Sequence, residues 1–330
     1  MIPEFLRGVI VPLFTPCNAD GSIDPVGVKE FVRYINDRGS ISSIFARSGM
    51  GRMYTFSIAD TKLMTDLVVE AAGDTPVLPG TSGEWDRDRD NKPDPERYTA
   101  QTIELSRYAA QKGAAAVVIV MPEALKKQPG KPVGETIIEY FQKVAPNVEV
   151  PIVIYNPPGI SAEYEIRPEI LVELQKMPNI AGMKYSTADL DKLKGISDVK
   201  SDEFAFIAGN ETAFLDALRL GAVGVIGQGC DINPEVLRAV YDYYAAGNHE
   251  EAAKAQDAAN KCLEACEGID SVLFLLRHAA EQGYNVQPYT RRGQTGYEDS
   301  EEQAATISDA DYQRLKKAID KLTGPYRAAS

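Results

Sequence analysis

Histidine and cysteine are scarce in this sequence, which has 330 residues but only two histidines and four cysteines. The histidines are His249 and His278, and no CxxC pair occurs. Protein zinc sites take most of their ligands from these residue types at close spacing, so we expect neither a metal site nor a cofactor. Cys262 and Cys266 lie one helical turn apart in an apolar pattern, which favours small buried thiols in a reducing compartment.

Long apolar runs and an excess of basic charge are also lacking. No run approaches the roughly 20 apolar residues needed to cross a bilayer. The segment 1–14 lacks the basic head and the small-residue cleavage site of a signal peptide. The net charge is −13, and a field of that sign repels phosphate backbones and anionic lipids. We therefore expect a cytoplasmic protein that binds neither nucleic acid nor membranes.

Short apolar, β-branched runs alternate with amphipathic helical stretches over most of the chain. This alternation indicates an α/β fold with a parallel sheet covered by helices, and eight such units fit a closed (β/α)₈ TIM barrel. An open doubly wound sheet is the alternative, but no strand runs into the GxGxxG turn typical of that fold. The predicted strands are 8–14, 42–47, 75–81, 114–120, 150–156, 180–186, 204–209 and 223–229.

The pattern changes after the eighth predicted strand. A helical pattern completes the barrel, and the segments that follow are helices with no strand between them. We predict a barrel over residues 1–247 that carries the active site and a C-terminal helical domain over residues 248–330. A polar connection is predicted at 287–305.

The loop at 83–97 (GEWDRDRDNKPDPER) is dense in charge and proline and follows the third strand. In a barrel it leaves at the C-terminal face, where active sites lie. It is either a solvated surface insertion or a lid that shapes the substrate site, with Trp85 as its apolar anchor.

A lysine and a tyrosine stand at the ends of two neighbouring strands. Lys184 lies in IAGMKYS and Tyr155 in VPIVIYN, and adjacent barrel strands end side by side. Burial would lower the pKa of the Lys184 amine, and a neutral amine attacks a ketone to form an iminium that stabilises a carbanion. Tyr155 would transfer the protons if a nearby ammonium lowers the pKa of its phenol. The alternatives are a lysine that extends to water and a tyrosine packed at the barrel mouth.

Several loop residues would meet the same rim. The turn at 48–51 offers backbone N–H groups for a carboxylate, or is a plain strand-to-helix turn. Glu211 accepts hydrogen bonds from substrate hydroxyls, or serves a helix dipole behind an Asn210 N-cap. Arg52, or an arginine of the 83–97 loop, would suit a second carboxylate. The candidate substrate-binding residues are Ser48, Gly49, Met50, Arg52, Glu211, Ile226 and Gln228.

These motifs, in this order, resemble the dihydrodipicolinate synthase and N-acetylneuraminate lyase family of class I aldolases. The resemblance implies a barrel with a three-helix C-terminal domain, usually in a homotetramer, and a 2-oxo acid such as pyruvate held as an imine. It implies that Lys184 is the Schiff-base residue and Tyr155 the proton shuttle. The matching segments are TP (15–16), DGSID (20–24), the loop 48–51, YNPPG (155–159), GMKYS (182–186), GNE (209–211) and GAVGVIG (221–227).

The chain departs from the family pattern at three points. The family's second-strand loop usually reads Gly-Thr-Thr-Gly-Glu, whereas residues 48–52 read SGMGR. Backbone amides alone then remain for the carboxylate, and no relay hydroxyl is expected beside Tyr155. The synthase's relay tyrosine would fall at 121–124, where there is none, and its arginine after the YN motif is absent from 158–161. These losses disfavour dihydrodipicolinate synthase itself and differ from the Ser-Thr pair of the sialic acid lyases.

The retained lysine and tyrosine predict a class I Schiff-base lyase that reversibly cleaves a 2-keto-3-deoxy sugar acid to pyruvate and an aldehyde. A dehydratase would use the same imine and lose water instead, and a non-catalytic homologue would only bind the 2-oxo acid. An aromatic aldehyde is also open, since Met50, Met53 and Tyr54 lie near the mouth. The expected partners are the 2-oxo acid substrate and further copies of the chain in a homotetramer.

Overall fold

A computed structural model describes residues 1–291 and 306–327 of the chain. Eight parallel strands alternate with helices and form a nearly closed barrel, so the predicted TIM-barrel fold is confirmed. The strands are β1 (Gly8–Pro12), β2 (Ser43–Ala46), β3 (Val77–Pro79), β4 (Val117–Val120), β5 (Ile152–Asn156), β6 (Ile180–Tyr185), β7 (Ala205–Ala208) and β8 (Gly224–Val225).

The strand order closes the sheet on itself. Neighbours follow the order β3-β2-β1-β8-β7-β6-β5-β4, and a parallel bridge between Gly80 and Val118 connects the two outer strands. Side chains alternate along each strand, so one set fills the barrel interior and the other packs under the helices. The interior set includes Ile10, Phe45, Leu78, Val118, Val153, Ile207 and Ile226.

The helices begin where the sequence supplies N-terminal caps. Asp24 and Asp94 each accept a hydrogen bond from a backbone N–H of the first turn, with proline following directly. Ser57 and Asp60 form a reciprocal capping box. The helices are α1 (Pro25–Arg38), α2 (Ile58–Ala71), α3 (Pro95–Gln111), α4 (Val133–Val144), α5 (Pro168–Leu174), α6 (Leu190–Val199), α7 (Phe214–Arg219), α8 (Gly229–Ile232), α9 (Pro234–Ala245), α10 (His249–Ala265), α11 (Ser271–Glu281) and α12 (Asp309–Thr323).

The last three helices, α10, α11 and α12, follow the barrel, and residues 248–291 and 306–327 contain no strand between them. Helix α10 packs against α9 and α12, and the chain after α11 returns to the barrel, where Arg291 forms a 2.6 Å ion pair with Asp60. Much of the connection predicted at 287–305 lies outside the described residues. None of the helices in residues 1–291 and 306–327 has the length and apolar composition of a membrane-spanning helix. All four cysteines are buried free thiols, as expected.

Candidate active site

Lys184 and Tyr155 lie side by side at the C-terminal ends of β6 and β5. Their Cα atoms are direct partners in the parallel register of these strands. The Lys184 Nζ atom is 4.2 Å from the centre of the Tyr155 ring and 5.9 Å from that of Phe45. Only 5% of Lys184 and 3% of Tyr155 is exposed. The register therefore brings the amine and the phenol together inside the barrel mouth, as the sequence predicted.

The environment of Lys184 favours a neutral amine. Burial lowers the pKa of the amine from 10.5 to about 8, and the neighbouring Cys230 and Glu211 counteract only part of this effect. With that pKa, roughly a tenth of the Lys184 side chains are neutral at pH 7, far more than for an exposed lysine. The site thus provides a nucleophilic amine near neutral pH.

The environment of Tyr155 differs from the sequence-based expectation in two ways. Burial raises the pKa of its phenol to about 12, so the phenol is a proton donor in its resting state. A hydroxyl does act on the phenol, although it does not come from the second-strand loop: the Ser186 side chain lowers the pKa of Tyr155 against the larger effect of burial, and Ser186 lines the same cavity. Ser186 directly follows β6, and its backbone N–H donates to the Asn156 carbonyl at 3.1 Å. Ser186 ends the GMKYS motif, but nothing in that motif indicates that its hydroxyl lies near the phenol.

A cavity of about 510 Å³ opens over the Lys184 amine. Four of the predicted substrate-binding residues line it: Gly49, Met50, Glu211 and Gln228. Residues that were not predicted to bind substrate also line it, namely Pro158 and Ser186 from the barrel loops and Leu263, Cys266 and Glu267 from the end of α10. The C-terminal helices therefore supply one wall of the cavity.

Ser48, Ile226 and Arg52 are not among the described residues that line this cavity. The Ser48 hydroxyl is buried and donates to the Leu13 carbonyl at 3.1 Å while it accepts from the Gly51 N–H at 3.0 Å. Ile226 belongs to the apolar interior of the barrel. Ser48 and Ile226 thus support the rim from below, and a direct contact of any of the three with substrate stays a prediction.

Glu211 is held in place by the turn that follows β8. Its Oε1 atom accepts the Gly229 N–H at 2.7 Å, and its side chain is 7% exposed. A Cβ atom on Gly227 would lie 1.9 Å from the Glu211 Oε2 atom, so a larger residue there would displace the carboxylate. Asn210 caps the following 3₁₀ turn through the Thr212 N–H, which confirms the predicted N-cap. The fixed carboxylate faces the cavity, where it can accept hydrogen bonds from a ligand.

A second cavity, of about 720 Å³, lies between α1, α11 and α12. Its basic side chains Arg38, Lys316 and Arg327 are each ion-paired with Glu235 or Asp320. Because those charges already have partners, the smaller cavity over Lys184 is the better candidate for an active site.

Comparison with known proteins identifies the family. The model of the dihydrodipicolinate synthetase family matches residues 5–308. The chain belongs to that family. The 4-hydroxy-tetrahydrodipicolinate synthase of Shewanella baltica is 30% identical over 246 residues, which cover 74% of this chain and 77% of the relative. The resemblance seen in the motifs is therefore confirmed at the level of the family.

Solved structures of family members share the fold. The N-acetylneuraminate lyase of Mycoplasma synoviae superposes with a TM-score of 0.74 at 20% identity, over 98% of this chain and 99% of the other. The YagE protein of Escherichia coli K12, solved in complex with pyruvate, gives a TM-score of 0.76 at 22% identity, over 96% and 98% of the two chains. At such identities the likeness concerns the fold alone.

Proposed function

We propose that this family member is a class I Schiff-base lyase that cleaves a 2-keto-3-deoxy sugar acid reversibly to pyruvate and an aldehyde. The observation that carries the proposal is the buried Lys184 amine beside the Tyr155 phenol. A buried lysine with a pKa of about 8 at the base of an accessible cavity is the nucleophile that imine formation needs. The pyruvate in the YagE structure makes a 2-oxo acid the first ligand to test.

The proposed reaction begins when the neutral Lys184 amine attacks the C2 carbonyl carbon, and a proton passes from the nitrogen to the former carbonyl oxygen to give the carbinolamine. Tyr155 donates its proton to the departing hydroxyl, water leaves and an iminium remains. The C4 hydroxyl then loses its proton to the Tyr155 phenolate, the C3–C4 bond breaks and the aldehyde departs. The electron pair of that bond moves to C3 and neutralises the iminium as an enamine. Protonation at C3 and hydrolysis release pyruvate and restore the amine.

Backbone amides are the proposed carboxylate site. Gly49 and Met50 line the cavity, and their N–H groups have no hydrogen-bond partner within the described part of the chain. Consecutive backbone N–H groups of this kind bind carboxylates without a charged side chain. Glu211 and Gln228, which line the same cavity, suit the hydroxyl groups of a sugar-acid tail.

The reaction named for the Shewanella relative, 4-hydroxy-tetrahydrodipicolinate synthesis, is the second candidate because of the 30% identity. The missing hydroxyls of loop 48–52 and the missing arginine at 158–161 weigh against it. A dehydratase of the same sugar acids would share the imine, so only the products distinguish it from a lyase.

The proposal is tested by incubating the protein with pyruvate and sodium borohydride, followed by intact-mass measurement and peptide mapping. We expect one reduced pyruvyl adduct, on Lys184. Screening of 2-keto-3-deoxy sugar acids should then yield pyruvate and an aldehyde. A dehydrated 2-oxo acid would support the dehydratase, and binding without adduct or product would support a non-catalytic homologue.

The rate of adduct formation should rise with pH and level off above about pH 8. The reason is that only the neutral amine attacks, and its pKa is about 8. Below that pH the neutral fraction, and with it the rate, changes about tenfold per pH unit. Initial rates of trapping between about pH 6 and 9 measure this profile. A rate that still rises about tenfold per pH unit at pH 9, as for a lysine with the usual pKa of 10.5, would contradict a buried reactive amine.

A further inference from the structure

The 83–97 loop extends to the turn that follows Tyr155 and forms hydrogen bonds with it. The Arg87 Nη2 atom donates to the Pro158 carbonyl at 2.8 Å, and the Arg89 Nη2 atom donates to the Gly159 carbonyl at 2.6 Å. Two arginines of one loop thus hold two consecutive carbonyls of the YNPPG turn. Because Pro158 lines the cavity over Lys184, these contacts bear directly on the shape of the site.

Arg87 has a strained backbone conformation and a positive charge with no ion-pair partner among the described residues. Its φ angle is +68°, in the left-handed region that side-chain-bearing residues rarely adopt. Its guanidinium lies 5.5 Å from the centre of the Tyr54 ring. Three aspartates flank it at positions 86, 88 and 90, yet within residues 1–291 and 306–327 it forms no ion pair. Such backbone strain persists where surrounding contacts impose it, and it concentrates at functional sites.

A buried carboxylate fastens the loop and the turn to each other. Glu123 is nearly fully buried, and its Oε1 atom accepts the Arg89 Nε–H at 2.8 Å. The same atom accepts the Ser161 backbone N–H at 3.1 Å. Arg89 and Ser161 therefore donate to the same carboxylate. A displacement of the 83–97 loop would for this reason also displace the turn after Tyr155.

The turn itself is built for this approach. Gly159 has a φ of +67°, and a Cβ atom there would lie 3.2 Å from the Arg87 Nη2 atom. Trp85, at the start of the loop, is buried, with its ring 5.9 Å from that of Tyr54 and its indole N–H on the Asp88 carbonyl at 2.9 Å. The loop is thus held at its start by the buried Trp85, and Arg87 and Arg89 connect it to the turn.

We propose that Arg87, assisted by Arg89, is a positioning residue that holds the Tyr155 phenol in place beside Lys184. The role in catalysis rests on the proposed function, whereas the positioning of Tyr155 does not. The positive charge of Arg87 also acts on the phenol, since it lowers the pKa of Tyr155 against the larger opposing effect of burial.

The test compares Arg87→Ala, Arg87→Lys and the double variant Arg87→Ala/Arg89→Ala with wild type. Arg97→Ala is the control, because this arginine lies in the first turn of α3, just after the loop, is mostly exposed, and among the described residues forms its ion pair with Glu84, at 3.4 Å. The first readout is ¹⁹F NMR of protein labelled with 3-fluorotyrosine, in which the Tyr155 signal is identified by its loss in Tyr155→Phe. The second is the rate of borohydride-trapped imine formation with pyruvate.

We expect Arg87→Ala to shift or broaden the Tyr155 signal and to slow imine formation roughly 10- to 100-fold, the range for small displacements of a reacting group. Arg87→Lys, which can still donate to the Pro158 carbonyl, should restore part of the rate, and Arg97→Ala should change neither readout. If Arg87→Ala fails to fold, the lysine variant and Arg89→Ala are compared in the same way.

An unchanged Tyr155 signal in Arg87→Ala and in the double variant would overturn the inference. If wild type forms no adduct, the proposed function fails, while a Tyr155 signal that moves in Arg87→Ala but not in Arg97→Ala still supports the positioning. If the signal moves and the imine rate does not, the contact is structural and Arg87 has no part in catalysis.

Discussion

Replacement of Lys184 by methionine should abolish the pyruvyl adduct and reduce turnover by at least about 10³-fold, because no other group in the mechanism forms the imine. The same change should make the protein more stable at pH 7, by on the order of 2 kcal/mol. Wild type holds a desolvated amine that methionine replaces with an apolar chain of similar length. Denaturant unfolding and the adduct measurement test the two effects on one variant.

The pH dependence of this stability difference has a definite sign. The pKa of Lys184 is about 8 in the folded protein and near 10.5 in the unfolded chain. Between these values the unfolded state binds more protons, so the stability of wild type rises as pH increases through this window. The excess stability of Lys184→Met is therefore complete below about pH 8 and disappears above about pH 10.5.

Lys194→Met is the control, since Lys194 is exposed and paired with Asp198 on the surface of α6. It should retain the adduct and show little change in stability. A Lys184→Met variant that still accumulates adduct would place the imine elsewhere. If Lys184→Met is less stable than wild type at pH 7, burial of the amine does not destabilise the wild-type protein.

The parts of the site that follow from strand pairing could be predicted from the sequence. Parallel neighbours end at the same rim, so Tyr155 and Lys184 could be placed together from the ends of two apolar runs alone. The cap at Asn210 was equally predictable, because Asn before the first helical turn is a local signal. Strand ends were less accurate: the run at 223–229 forms only a two-residue strand, Gly224–Val225, before the chain turns into a short helix.

The parts that depend on distant segments could not be predicted. Leu263 and Glu267 reach the cavity because α10 packs against the barrel, and nothing in their own sequence indicates that contact. The 83–97 loop was open to two interpretations because its charges do not reveal which carbonyls they bind. Ile226, directly after β8, belongs to the apolar interior of the barrel, whereas the next residue, Gly227, lines the cavity.

Tyr155→Phe should slow turnover by roughly 10² to 10⁴, the range for the loss of a positioned acid–base group, while Lys184 still forms the pyruvyl adduct slowly. Phenylalanine keeps the ring that lies 4.2 Å from the Lys184 amine and edge-on to Phe45, so the fold and the burial of the amine are retained. What disappears is the proton that the phenol, with a pKa of about 12, carries to the carbinolamine.

A matched control distinguishes the loss of proton transfer by Tyr155 from the general effect of removing a buried tyrosine hydroxyl. Tyr140 is as deeply buried and bonds the Thr102 hydroxyl at 2.8 Å beneath α3, outside the cavity. Tyr140→Phe should cost stability but leave kcat unchanged, whereas Tyr155→Phe should lower kcat and the trapping rate together at nearly unchanged stability. If Tyr155→Phe turned over as fast as Tyr140→Phe, the proton would have to come from elsewhere, and Ser186 would be the next group to replace. A slow Tyr155→Phe enzyme with a normal trapping rate would instead confine the phenol to the later step, in which the C4 hydroxyl loses its proton as the carbon–carbon bond breaks.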